Sequence, residues 1–285
     1  MRIDSQAKTL YGEEIEQNIK CNLATLMLGY KIIENYTNYI TLLIPLNILP
    51  YLTQAITSEI FWKTIFQLVS FKTCLIYLIS LPLLVALTSR MRAFSLRPLL
   101  IIHNFFCSAV SVYTALSSFY GAYQGGSAFL TKPVENLRYG FYLYWISKNV
   151  ELLDTLYIIL KKKYRQLSFL HVYHHSSMVL FSEFGYRLCP YPAIAIPLGI
   201  NSVIHVFLYY YYGMCALDPA NPPTWKKRLT EMQILQFIIG VTHSTLGYLY
   251  HGFCFYGVIY GFSMLWLFCN FYYKAYLTKR RLKNE

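Results

Sequence analysis

Ionisable side chains are scarce in this 285-residue sequence: Asp, Glu, Lys and Arg make up 13% of it, where soluble domains carry about 25%. That scarcity excludes a globule wetted on all sides. Cysteine is present but unorganised. Cys21, Cys74, Cys107, Cys189, Cys215, Cys254 and Cys269 form no CxxC pair and are odd in number, so they read as neither a zinc site nor a disulfide framework but as small membrane-buried side chains. The segment Met1 to Lys20 lacks an apolar h-region and carries the acidic run Glu13, Glu14, Glu16, so no cleavable signal peptide is predicted there. A continuous basic surface is lacking too. The net charge of +12 is split among loops between apolar stretches, which argues against a nucleic-acid partner and for anionic lipid head groups or a phosphate-bearing substrate.

What is present is apolar and aromatic. Hydrophobic residues make up 56% and aromatics 18%, and mean hydropathy is +0.37. Segments of spanning length, roughly 20 residues each, are predicted near 65–88, 97–120, 138–160, 167–186, 192–214, 230–250 and 253–277. The expected fold is an all-α membrane protein of seven transmembrane helices. Residues 1–63 form a lead-in, with an interfacial stretch at Tyr39 to Ile56 broken by Pro45 and Pro50; residues 64–278 form the helical domain; residues 279–285 form a basic tail.

The basic loops alternate along the chain. Arg90, Arg92 and Arg97, then Lys161, Lys162, Lys163 and Arg165, then Lys226, Lys227 and Arg228, then Lys279 to Lys283 fall on one side, and the intervening loops are nearly bare. The positive-inside rule then predicts a luminal N-terminus and a cytosolic C-terminus. The N-x-T sequon at Asn35 agrees with that orientation as a glycosylation acceptor. The basic residues near the C-terminus read equally as a retrieval signal of the endoplasmic reticulum and as a juxtamembrane anchor.

Polar residues inside the spans carry the chemistry. His171, His174 and His175 form an HxxHH cluster, and on a helix they sit at about 0°, 300° and 40°, one narrow face. Lys148, Glu151 and Asp154 follow at three-residue steps in the preceding span, where neighbouring members can touch. They fit a packing ion cluster or one that tunes the imidazoles. Asn201, His205, Tyr209 and Tyr212 share one helical face, and Thr230, Gln233, Gln236 and His243 share another. His171, His174, His175, His205 and His243 are expected to converge, while His103 and His251 read as packing residues.

Two chemistries compete for such a site. A di-iron centre, as in membrane desaturases and hydroxylases, takes about eight His in several boxes; this chain has seven His and one box. The metal-free alternative uses an imidazole as nucleophile or base, with amides and hydroxyls stabilising an oxyanion. A seven-helix receptor or transporter is a third reading and leaves the histidine face unexplained.

The ordered set Lys148-x-x-Glu151-x-x-Asp154-Thr155, His171-x-x-His174-His175, Asn201-Ser202-x-x-His205-x-x-x-Tyr209-x-Tyr211-Tyr212 and Thr230-x-x-Gln233-x-x-Gln236 resembles the ELO family of fatty acid elongases. The stretch from Arg97-Pro98-Leu99 to His103-Asn104-Phe105 looks like a further motif of that family, and the resemblance runs from about residue 65 to 281. Leu208 stands where the family usually has Met, a swap of similar volume. A luminal disulfide found in some members is not carried over, because no Cys lies between Gly121 and Gly140.

The resemblance implies a 3-oxoacyl-CoA synthase of the endoplasmic reticulum membrane, with six of seven helices in an inverted-repeat barrel around an acyl tunnel. It implies condensation of malonyl-CoA with a long-chain acyl-CoA, through an acyl-imidazole on His174 assisted by His205, His171 and His175. Lys148, Glu151, Asp154, Asn201, Tyr209, Gln233, Gln236 and His243 are the substrate-binding candidates. Lys161, Lys162, Lys163, Arg165, Lys226 and Lys227 are placed to meet CoA phosphates. No cofactor is expected besides malonyl-CoA as co-substrate. The expected partners are acyl-CoA, membrane lipid, the reductases and dehydratase of the elongation cycle and a second copy of the chain.

Overall fold

Apolar stretches separated by short basic or glycine- and proline-bearing loops produce helix after helix. The computed structural model describes residues 62–63 and 65–278; the sequon at Asn35, the acidic run at Glu13, the lead-in around Tyr39 to Ile56 and the tail 279–285 lie outside the described residues. In chain order the helices are α1 (Val69–Thr88), α2 (Arg97–Gln124), α3 (Glu135–Val150), α4 (Leu153–Leu160), α5 (Phe169–Leu188), α6 (Pro192–Leu217), α7 (Lys226–His251) and α8 (Phe255–Tyr272). Among the described residues there is no strand.

Among the described residues four helices are long and apolar enough to cross a membrane: α1, α2, α6 and α8 extended through a π-helical turn to Leu277. Buried polar side chains occur on these as well as on the remaining helices: His103 and Asn104 lie on α2, and Asn201 and His205 on α6. The stretch 138–160, expected as one span, is interrupted: α3 stops at Val150 and α4 starts at Leu153. Between them Leu152, Asp154 and Thr155 donate their N–H groups three residues back, a tightened turn with no proline or glycine to signal it.

Large apolar side chains point outward. Ile76, Ile79, Ile102, Leu116 and Trp266 are all about two-thirds exposed or more, while His103, Lys148, Glu151, Glu183 and His205 are buried. That inversion belongs to a chain whose solvent is lipid. The α2 and α6 helices run antiparallel and close together along small residues. Gly199 faces the Phe119 ring and Gly213 the Phe105 ring, where an added Cβ would come within 3.0 Å. Ser108 Oγ donates to Val206 O at 3.0 Å and Thr114 Oγ1 to Ser202 Oγ at 3.1 Å across the seam, the pattern by which membrane helices associate.

Helix ends are closed by side chains from elsewhere in the chain. Arg97 donates to Ala216 O at 3.0 Å and Leu217 O at 2.7 Å, completing the C-terminus of α6. Lys162, in the left-handed region with φ 56°, donates to the carbonyls of Thr88 and Ser89 at the end of α1. Gly252 ends α7 at φ 70°, a conformation that favours glycine. The N-terminus of α1 is capped in trans: Glu183 of α5 accepts from Val69 N at 3.3 Å and Ser70 N at 2.6 Å, and Arg187 Nε meets the same carboxylate at 2.6 Å.

Glu183 is 0% exposed, so its removal leaves two N–H groups orphaned away from water. Glu183→Ala is expected to destabilise the protein by about 2–3 kcal/mol, and Arg187→Ala by less because that side chain is 32% exposed. Thermal unfolding of the detergent-solubilised variants measures both; equal midpoints for Glu183→Ala and the native chain would rule out the cap.

Candidate active site

A polar loop delivers the histidines. After Lys162 the chain makes a 3-10 turn at Tyr164–Gln166, and Ser168 then caps α5 by accepting the His171 N–H at 3.2 Å. His171, His174 and His175 therefore fall in the first two turns of α5 on one face, with ring centroids 4.3 Å apart for His171 and His175 and 5.5 Å for His174 and His175. His171 Nε2 lies 2.9 Å from Thr155 Oγ1, which lies 2.8 Å from Tyr77 OH. His174 faces His205 across the helix interface at 6.2 Å between centroids. Its Nδ1 is buried and has no hydrogen-bond partner among the described residues.

Opposite α5, α3 and α6 run parallel and face each other rung by rung. Tyr144 OH donates to Asn201 Oδ1 at 2.7 Å. One turn on, Lys148 Nζ lies 3.1 Å from His205 Nδ1 and 2.7 and 2.9 Å from the Glu151 carboxylate oxygens. Glu151 Oε1 is itself 3.4 Å from His205 Nδ1. The shorter contact to the ammonium makes Nδ1 the acceptor, so all three lysine donors are used and the neutral His205 ring carries its proton on Nε2. The Tyr144 ring lies 4.7 Å from Lys148 Nζ, a cation–π contact in the same stack. Beyond the α3–α4 interruption, Tyr209 OH donates to Asp154 Oδ2 at 2.8 Å. The interruption supplies the residues that bring Asp154 level with Tyr209, a turn past His205.

Several expectations are corrected by these contacts. Asp154 does not join Lys148 and Glu151; it turns to Tyr209 and to His103, whose Nε2 is 2.9 Å away. His103 is thus part of the polar shell and not a packing residue, and the cost of an unpartnered carboxylate in a membrane helix is the signal that could have found it. His243 does not converge on the other histidines. Its Nε2 meets Ala193 O at 3.0 Å and its ring stacks on Phe129 at 4.8 Å, which in turn stacks on His251 at 4.4 Å. It shares a helical stripe with Gln236 but sits about two turns, or 10 Å, further along.

Gln236 does reach the site: Asn201 Nδ2 donates to its Oε1 at 3.4 Å. Gln233 is half-buried on the preceding turn with no hydrogen bond among the described residues. Of the basic residues, Lys162 is committed to the end of α1, and Lys227 pairs with Glu231 at 3.4 Å and lies over Tyr272. Lys163, Arg165 and Lys226 are exposed, and partial burial together with nearby Lys163 holds the Lys161 ammonium below its ordinary range. Thr155, named in the motif of the preceding span, belongs to the site, as do Tyr144 and Tyr77, which neither type nor spacing singled out.

The arrangement offers an imidazole without a fixed partner, a second imidazole held in one tautomer by a buried ion pair, and amide and hydroxyl groups beside them. Among the described residues no group of three or more His, Cys, Asp or Glu side chains is arranged to hold a metal ion. The ammonium beside His205 Nδ1 occupies the position from which a metal would bind that nitrogen.

The family described as ELO, GNS1/SUR4, matches residues 63–284. The very long chain fatty acid elongase 7 of Rattus norvegicus is 32% identical over 208 residues, which is 67% of this chain and 74% of that one. The very long chain fatty acid elongase 4 of Homo sapiens is 34% identical over 206 residues, covering 67% and 65%. The very long chain fatty acid elongase 1 of Homo sapiens is 33% identical over 208 residues, covering 67% and 75%.

Glu151 is 1% exposed and Lys148 2%, so each charge depends on the other. Lys148→Met is expected to lower stability by about 3–5 kcal/mol. Adding Glu151→Leu to it should restore much of that loss, because no buried charge is then left alone. Unfolding midpoints of the single and double variants test this, and a double variant less stable than the single one would contradict it.

Proposed function

Because the chain belongs to the ELO (GNS1/SUR4) family, a family of membrane proteins whose similar members here are named very long chain fatty acid elongases, we propose that it is the condensing enzyme of fatty acid elongation. It joins malonyl-CoA to a long-chain acyl-CoA and yields 3-oxoacyl-CoA, CO2 and CoA, as a 3-oxoacyl-CoA synthase. The observation that carries this reading is the His174 ring: its Nδ1 is buried without a hydrogen-bond partner among the described residues, and the ring faces His205.

In the first half-reaction a ring nitrogen of His174 attacks the thioester carbonyl. The C–N bond forms, the C–S bond breaks, and the CoA thiolate leaves with the imidazole proton. Acyl-imidazole is an activated carbonyl, and neutral imidazole is nucleophilic near pH 7. In the second half-reaction malonyl-CoA loses CO2, its enolate attacks the acyl carbon, the C–N bond breaks and the ring regains a proton. One proton is consumed overall. His205, with Nδ1 fixed by Lys148, presents Nε2–H to the reacting groups, and Asn201 and Gln236 supply amide contacts to the carbonyl or enolate oxygen. His171 and His175 complete the polar shell, and Asp154 holds Tyr209. Gln233 borders the same wall. His243 has no part in this scheme.

The wider reading follows the family. The helices form seven spans, six in an inverted-repeat barrel around an acyl tunnel, in the endoplasmic reticulum membrane with the N-terminus luminal and the C-terminus cytosolic. The CoA phosphates meet the half-buried Lys161 and the exposed Lys163, Arg165 and Lys226 at the basic end. The reaction needs no cofactor beyond malonyl-CoA, and the product passes to reductases and a dehydratase.

Incubation of purified protein with long-chain acyl-CoA and no malonyl-CoA is expected to add the mass of one acyl group, removable by hydroxylamine. His174→Ala should abolish the adduct. An adduct that persists in that variant would assign the nucleophile elsewhere, and its absence from the native chain would reject the covalent route.

A further inference from the structure

The Tyr144–Asn201–Gln236 chain links α3, α6 and α7, and all three residues are buried, at 2%, 8% and 8% exposure. Tyr144 OH donates to Asn201 Oδ1 at 2.7 Å, and Asn201 Nδ2 donates to Gln236 Oε1 at 3.4 Å. The Gln236 amide N–H groups donate to no described residue. A primary amide has one accepting and one donating end, so the direction of the first bond sets the direction of every later one. Two amides alone have no preferred direction, since the pair is equally satisfied when both are turned over.

The phenol breaks that symmetry. A buried O–H without an acceptor costs more than an unused lone pair, and Asn201 is the hydrogen-bond partner of the Tyr144 hydroxyl. Tyr144 therefore donates, Asn201 turns its carbonyl to Tyr144 and its amide nitrogen to Gln236, and Gln236 is left with its carbonyl occupied and its N–H groups unspent. Asn201 is one turn from His205 on α6, and Tyr144 one turn from Lys148 on α3, so this chain lies beside the histidines.

We infer that Tyr144 is a positioning residue that fixes Gln236 as a hydrogen-bond donor toward the oxyanion of the condensation reaction. This role rests on the function proposed above. Without the hydroxyl both amides turn freely, and the Gln236 carbonyl then presents lone pairs to the site where negative charge develops. The Tyr144 ring remains useful in itself, packing with Leu137, Phe141 and Leu198 and under the Lys148 ammonium, so deleting the oxygen alone leaves those contacts intact.

The test is Tyr144→Phe, Gln236→Ala and the double variant, assayed for malonyl-dependent CO2 release with long-chain acyl-CoA. Tyr144→Phe is expected to lower kcat roughly 10- to 100-fold, below the full cost of a lost oxyanion donor, with KM for acyl-CoA within about threefold. In the Gln236→Ala background the same change should have almost no further effect, because the group it orients is gone. A merely structural role would act in both backgrounds alike, so multiplicative losses would overturn the positioning role. An unchanged kcat in Tyr144→Phe, with active native protein, would overturn it as well. Native protein that releases no CO2 across a panel of acyl-CoA lengths would overturn the condensation reading and this role with it.

Discussion

The Lys148–Glu151 ion pair is the interaction on which the site depends. Each charge, taken alone into a lipid-embedded interior, costs several kcal/mol, and the pair is tolerable only with close geometry and every remaining donor used. Contacts of 2.7 and 2.9 Å to the carboxylate leave the ammonium one donor, and that donor is spent on His205 Nδ1. The tautomer of His205 is thus set by the same requirement that keeps the pair buried. A neutral substitute of similar volume could pack as well there, but it would leave His205 without a fixed proton position.

The scaffold around the pair removes other unsatisfied groups before they reach the site. Glu183 closes α1, Arg97 closes α6 and Lys162 closes the far end of α1, each from a distant part of the chain. Small residues along α2 and α6 let these helices approach closely, and Thr114 and Ser202 hydrogen-bond within that seam. With backbone and hydroxyl groups paired locally, the polar groups left over are concentrated where α3, α5, α6 and α7 meet. Apolar side chains face outward, so lipid and not water is the medium that the outer surface fits.

Much of this was legible in the sequence for one reason: ionisable groups in apolar stretches are rare enough to stand out. The HxxHH cluster, Lys148 with Glu151, and Asn201 with His205 all announce themselves that way. What periodicity supplies is a face, not a depth. His243 lies on the stripe that contains Gln236 yet meets Ala193 and Phe129 instead, because angular position repeats while height along the axis does not. The turn between α3 and α4 was invisible, since no proline or glycine marks it and the tertiary pairing of Asp154 with Tyr209 and His103 accounts for it. Tyr144 was hidden by abundance: among 28 tyrosines one phenol carries no signal until its partner is known. Glu183 read as an ordinary carboxylate because the N–H groups it caps lie more than a hundred residues away.

The rungs between α3–α4 and α6 share one register, Tyr144 with Asn201, Lys148 with His205 and Asp154 with Tyr209. A slide of one helix along the other by a single residue, about 1.5 Å, would unmake all of them together, since hydrogen bonds weaken steeply over that distance. The pair of helices therefore behaves as a detent and not as a spring. Small displacements are opposed by every rung at once, because the three contacts lengthen together.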